Sequence, residues 1–187
     1  MLIMVSPSKS SMRSILIGCW MLLSGLLGQA QAKTAKIKIP EESFSVVECS
    51  WDGNPAIIVV NTSLRKFKAK KYFGWSCSLC LEFKDCGENG IPTSEESDFV
   101  YNYFMQLDSV IRGDQNHPNA LLLARITYHG SYEIIWQINN PDIVHEYLQN
   151  IINEKSYPRE MDYRIEYDEK WKNVDWYLQD FSKKKKL

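Results

Sequence analysis

Cys77-Ser-Leu-Cys80 has the two-residue spacing that thiol–disulfide exchange uses. That chemistry needs the first thiolate at a helix N-terminus, where the dipole lowers its pKa. The flanks read Lys71-Tyr-Phe-Gly-Trp-Ser-Cys-Ser-Leu-Cys-Leu-Glu-Phe83, an aromatic and apolar run with strand character. On a strand, side chains three apart point to opposite faces, so Cys77 and Cys80 are not expected to pair with each other. Together with Cys49 and Cys86 they would allow two disulfides, in three connectivities, or a four-thiolate zinc site. The plainer expectation is buried thiols, with room for one disulfide between neighbouring strands among Cys49, Cys77, Cys80 and Cys86.

Acid–base and metal chemistry have fewer footholds. The chain has three histidines, His117, His129 and His145, and no H-E-x-x-H, G-x-S-x-G or phosphate-cradling loop. His129 could act as a general base if a carboxylate oriented it, and Glu133 is near enough in sequence to be considered. Asp162, Glu166 and Asp168 could share one side of a strand and offer oxygens to a hard cation. None of these sets has the spacing of a known catalytic or metal site, so no catalytic residue, metal or cofactor is assigned. Trp51, Gly53 and Pro55 form an aromatic-edged turn, and Gly90 and Pro92 lie in a second one. If the two turns share one end of a sheet, they could line a shallow binding groove. Their turn-forming chemistry is the preferred account of them.

The elements that must position these residues follow from pattern. Ser43–Trp51 and Ala56–Val60 read as strands joined by the turn Asp52-Gly-Asn-Pro55. Leu64 to Lys71 carries five basic residues and reads as a solvated linker or edge. Tyr72–Phe83 is the third strand. Thr93-Ser-Glu-Glu96 is a capping box, with Glu96 expected to reach back to the cap, and starts a helix over Ser94–Arg112. Phe99, Val100, Tyr103, Phe104, Leu107, Val110 and Ile111 form its apolar stripe, and Gly113 ends it. Asn119–Tyr128 and Tyr132–Ile138 make a hairpin turning at His129-Gly130. Asn140-Pro-Asp142 starts a second helix through about Ile152, Tyr163–Tyr167 alternates as a last strand, and Asp168 caps a final helix over Glu169 to about Phe181. In that helix Trp171, Val174 and Leu178 share one face.

The order βββ-α-ββ-α-β-α predicts an α+β fold: a single two-layer domain, with a mostly antiparallel sheet and helices on one face. Lys and Arg number 22 against 23 Asp and Glu, which leaves no global field to attract nucleic acid.

The N-terminus reads as an address. Arg13 precedes about fourteen mostly apolar residues through Leu27, and Ala30-Gln-Ala32 then supplies small residues before Lys33. This predicts a signal peptide over residues 1–32, with Met12 as a candidate natural start. The apolar run is shorter than the ~18 residues a membrane-crossing helix needs, so no transmembrane span is expected in the mature form. Leu16-Ile-Gly-Cys19 also fits a bacterial lipobox, which would tether the chain through Cys19. The remainder divides into a loose segment at 33–42, one domain at 43–181 and a basic tail at 182–187, within which no linker is long enough to split the domain.

Four landmarks in order carry a family resemblance: Trp51-Asp-Gly-Asn-Pro55, Asn89-Gly-Ile-Pro-Thr-Ser-Glu-Glu96, Tyr128-His-Gly130 and Asp168-Glu-Lys-Trp171. The chain resembles, over about residues 43–181, bacterial proteins of the domain of unknown function number 695. The family often has Pro where Glu169 stands, a change that keeps the start of a helix. The resemblance implies the domain and no reaction, because the family has no established activity. The landmarks add Asp168 and Trp171 to the candidate binding residues Trp51, Gly53, Pro55, Gly90, Pro92 and His129. The expected function is a non-catalytic exported binding or interaction domain, meeting a protein or small molecule in the cell envelope. The alternatives are a hydrolase or thiol-redox enzyme, and a lipid-anchored envelope accessory.

Overall fold

Asp52 and Gly53 both take positive φ, 50° and 80°, the conformation of a two-residue turn whose twist matches paired strands. The turn sets the strands β1, Phe44–Trp51, and β2, Asn54–Asn61, in register with Trp51 opposite Asn54. The strand therefore starts at Asn54, and Pro55 lies inside it. His129 and Gly130 repeat the device at 48° and 80°, joining β4, Ala120–Tyr128, to β5, Ser131–Ile138. A computed structural model describes residues 37–179 of the chain. The signal peptide, the alternative start at Met12, Cys19 and the basic tail lie outside the described residues.

Two further strands, β3, Trp75–Glu82, and β6, Met161–Tyr167, complete a six-stranded sheet in the order β1-β2-β4-β5-β3-β6. Every neighbouring pair is antiparallel. The fold is α+β, as the element order predicts. Two α-helices, α1 over Ser94–Arg112 and α2 over Pro141–Asn153, pack on one face. Between β2 and β3 the basic stretch forms two short 3₁₀ turns, Thr62–Lys66 and Lys70–Phe73, which push Leu64, Phe67 and Phe73 into the core on the opposite face.

The helix α1 begins where its sequence says: the Thr93 hydroxyl accepts from the Glu96 amide at 3.3 Å. The other half of the expected capping box is not formed. Thr93 gives its own amide to the Asp85 carbonyl, and the Glu96 carboxylate turns to Arg159 instead. The buried seam is also narrower than the apolar stripe. Val100, Phe104, Leu107 and Ile111 are enclosed, while Phe99 and Val110 stand about half exposed.

Among the described residues no helix forms after β6. Trp171 takes a φ of 57°, a left-handed conformation that a right-handed helix cannot pass through. Residues 171–179 form successive turns instead, closed by amide-to-carbonyl bonds such as Tyr177 to Val174 and Leu178 to Asp175. Such turns repeat every three residues, close to helical spacing. Trp171, Val174 and Leu178 therefore still face inward, covering the sheet face away from α1 and α2.

Candidate functional site

The candidate site starts from an irregularity in β4. Leu122 lies opposite Trp136 and Ala124 opposite Ile135, so Leu123 has no partner of its own. This is a β-bulge, one extra residue that flips the alternation of the strand beyond it. Leu123 and Ala124 both pack on the face away from the helices. Arg125 is consequently turned to the helix face, beneath α1. Its guanidinium carbon lies over the rings of Phe44, Tyr101 and Phe104, 5.6, 5.4 and 5.3 Å from their centroids. The Tyr132 hydroxyl also lies beside it; burial raises that hydroxyl's pKa and the Arg125 charge opposes the rise.

Among the described residues Arg125 has no carboxylate partner, and its Nε–H is buried without an acceptor. Buried donors of this kind are rare in folded proteins and call for a specific explanation. The neighbouring arginine is the opposite case. Arg112 donates to Asp108 at 2.8 Å and to Glu42 at 2.7 Å. Burial works against the Arg112 charge, but the bonds and charges of Asp108 and Glu42 outweigh it and raise its pKa. Asp108 is held from its other side by the indole N–H of Trp136, at 2.7 Å in the core. Glu42, Asp108 and Arg112 are thus mutually satisfied, while the Nε–H of Arg125 is not, although its guanidinium also meets the Tyr132 hydroxyl.

Around these groups lies a cleft of about 430 Å³, between α1 and the β1–β2–β4 side of the sheet. Phe44, Tyr101 and Met105 stand at its mouth, each a little under half exposed. A cleft of this size, with aromatic walls and a few convergent charged groups, has the general form of a small-ligand site.

The residues singled out in the sequence fall elsewhere. Trp51, Gly53, Pro55, Gly90, Pro92 and His129 come to one end of the sheet, since the turns after β1 and β4 and the loop after β3 all lie there. They hold one another. Trp51 stacks edge-on against Tyr128 at 5.2 Å and lies 5.8 Å from Trp176. Gly90 accepts at its carbonyl from the Gly130 amide at 3.0 Å. A Cβ on Gly90 would sit 2.8 Å from the Gly130 nitrogen and from the His129 Cα, and its φ is +74°. Gly90→Ala is therefore expected to cost about 1–2 kcal/mol, through strain and a backbone clash. A urea-midpoint comparison with the unchanged protein tests this, and an unchanged midpoint contradicts it.

Asp168 and Trp171 lie at the other end, beyond Trp75 and Tyr167. Asp168 accepts from the amides of Lys172 and Asn173 at 2.7 and 3.0 Å, so it is a cap. The Trp171 side chain is wholly buried. Both side chains are buried.

Glu133 and Glu166 do come together, with Ser78 and Tyr177, in a depression of only about 80 Å³ on the face away from α1. The Ser78 hydroxyl donates to Glu133, and burial, with Glu133 beside it, pushes the Tyr177 pKa up to about 12. His129 stays in its turn and does not line this depression. Among the described residues no three His, Cys, Asp or Glu side chains form a group able to hold a metal ion.

The thiols Cys49, Cys77, Cys80 and Cys86 are free. Cys77 packs under the helices, and the Cys80 side chain lies on the other side of β3, as its spacing predicts. Burial pushes the Cys77 pKa up to about 12. It also raises that of Cys80, to which the nearby acids add while Ser131 opposes. Thiols held protonated in this way are poor nucleophiles, so the C-x-x-C has neither the geometry nor the electrostatics of a redox pair. No helix among the described residues is long and apolar enough to cross a membrane.

Among known proteins, a family model described as a family of unknown function (DUF695) matches residues 42–179. No curated protein and no solved structure matches the chain.

Proposed function

We propose that this chain, which belongs to the DUF695 family of unknown function, is a non-catalytic exported binding domain whose ligand occupies the cleft under α1. One observation carries the reading. A guanidinium re-aimed by the bulge at Leu123 stands in an aromatic-walled cleft whose two carboxylates pair with Arg112 instead, and one of its N–H groups is buried and unbonded among the described residues. Leaving such a donor unsatisfied costs stability, and a ligand that draws the guanidinium toward its own acceptor would recover that cost. The N-terminal pattern of Arg13, an apolar run and Ala30-Gln-Ala32 supports delivery to the cell envelope. The separation of His129 from Glu133 and Glu166, and of Cys77 from Cys80, supports binding over hydrolysis or thiol exchange.

The test is an amide chemical-shift map of the purified protein against a panel of neutral, acidic and basic aromatic fragments. Binders are expected to move the signals of Tyr101, Met105 and Arg125 most. The reading fails if no fragment binds there, or if the strongest response comes from the depression around Glu133 and Glu166.

A further inference from the structure

We infer that the ligand of this cleft is a monocarboxylate on an apolar, ring-sized body, its carboxylate taken by the Arg125 guanidinium. The inference rests on the cleft being the ligand site and adds the ligand's chemical class. It follows from the charges around the cleft. Four charged side chains line it: Glu42, Asp108, Arg112 and Arg125. Arg112 is already shared between two carboxylates, at 2.7 and 2.8 Å, and has no positive charge to spare. The four formal charges cancel, but Arg112 and the two acids are bonded to one another, and Arg125 is the charged group of the cleft left without an ion-pair partner among the described residues. A phosphate dianion would be repelled by Glu42 and Asp108 in the same wall about twice as strongly as a carboxylate. A cation would be repelled by Arg125. A neutral polar group would leave the guanidinium's charge unmatched. A carboxylate fits in charge and in shape, since its two oxygens match the paired donors of an arginine fork.

The walls specify the rest of the ligand. With the Phe44, Tyr101 and Phe104 rings against the guanidinium, the donors in its plane are what an incoming group meets. Those rings, with Met105 at the mouth, offer apolar surface to the body that carries the acid. A volume of about 430 Å³ admits a two-ring body beside its acid group. The rings also exclude water from the guanidinium, which strengthens a charge-assisted bond made there.

Three probes that share one body separate the possibilities: naphthoate, naphthamide and naphthyl phosphate, titrated calorimetrically into the purified full chain. Naphthoate is expected to bind roughly ten- to a hundredfold tighter than naphthamide, the usual worth of a hydrogen bond to a charged group. It is also expected to outbind the phosphate. Arg125→Met should remove the preference for acid over amide, and Arg125→Lys, which keeps the charge without the fork, should recover part of it. Circular dichroism of both variants confirms that they fold. Equal affinity for acid and amide, tighter binding of the phosphate, or a preference that survives Arg125→Met overturns the carboxylate assignment. If that occurs while the shifts still fall on Tyr101 and Met105, the cleft stands as the site and only the ligand class is wrong. If no naphthyl probe binds and no fragment of the broader panel reaches the cleft, both readings fail.

Discussion

Trp171→Ala is expected to lower the free energy of unfolding by about 3–5 kcal/mol, the range for removing a buried indole. The side chain is fully enclosed, and its N–H donates to the Phe73 carbonyl at 2.8 Å. The Phe67 ring packs 5.9 Å away, and the Lys70 ammonium lies 5.0 Å over the indole. Truncation therefore opens a cavity, leaves the Phe73 carbonyl without its donor and uncouples residues 171–179 from the second 3₁₀ turn. A bulky residue at a φ of 57° also carries strain that only dense packing sustains. For a domain of ordinary stability, about 5–15 kcal/mol, the loss is a large fraction of the total. Trp171→Phe should cost less, about 1–3 kcal/mol, because it keeps a ring and loses the hydrogen bond. Urea unfolding followed by circular dichroism reads both. Were Trp171 a ligand contact, as its place in the fourth landmark suggested, truncation would leave the midpoint nearly unchanged.

The second large effect is at Glu96. Its side chain is 4% exposed and accepts two bonds from Arg159, both at 2.7 Å, and one from the Lys84 amide at 3.0 Å. The Arg159 guanidinium also lies 4.1 Å from the centroid of the Phe99 ring. This one carboxylate ties the loop after β3, the first turn of α1 and the segment before β6 together. Glu96→Ala is expected to cost about 2–3 kcal/mol, below the value for a fully buried pair because Arg159 keeps some contact with water. The pair also predicts acid sensitivity. The Arg159 hydrogen bond, against an opposing effect of burial, holds the Glu96 pKa below its ordinary value. Between that depressed value and the unfolded one near about 4.3, the unfolded chain binds more protons than the folded chain. Stability then rises with pH across this window and is complete above it; it is lost as pH falls through the folded value. The midpoints of the natural protein and of Glu96→Gln should differ most at neutral pH and converge in acid. A gap that stays constant down to about pH 3 would contradict the assignment.

What the sequence made legible was mostly local. Asp52-Gly53 and His129-Gly130 can scarcely do anything but turn, so both hairpins were readable from local chemistry, although the first turn is tighter than the Asp52–Pro55 reading and its strand starts at Asn54. The start of α1 at Thr93 and the opposed faces of Cys77 and Cys80 were readable for the same reason. Where a distant partner decides, the local signal misled. Glu96 has the spacing of a capping box, yet Arg159, 63 residues away, offers a doubly bonded ion pair that outcompetes a single backbone amide. Phe99 and Val110 belong to the apolar stripe of α1 by spacing, but α2 and the sheet enclose only a narrower seam. The final helix was suggested by Trp171, Val174 and Leu178, whose spacing suits successive turns almost as well.

The candidate site was hidden for a physical reason. A search for histidine, cysteine and paired acids passes over Arg125, which sits inside Ala-Leu-Leu-Leu-Ala-Arg-Ile and is charged in an otherwise apolar strand. That single charge was the available signal. Which face it would take depended on the bulge at Leu123, and the bulge exists only in the register between β4 and β5. The aromatic turns that drew attention instead, around Trp51 and Gly90, proved to be braces for one end of the sheet.

The Arg125 Nε–H is buried and has no acceptor among the described residues. Its nitrogen–proton resonance can be followed directly in protein labelled with nitrogen-15, and assigned by its loss in Arg125→Lys. On titration with naphthoate this resonance is predicted to move downfield and saturate together with the amide shifts of Tyr101 and Met105, while naphthamide leaves it in place. A resonance that stays fixed while naphthoate binds elsewhere on the protein would contradict the claim that this cleft, through Arg125, is where the chain takes its ligand.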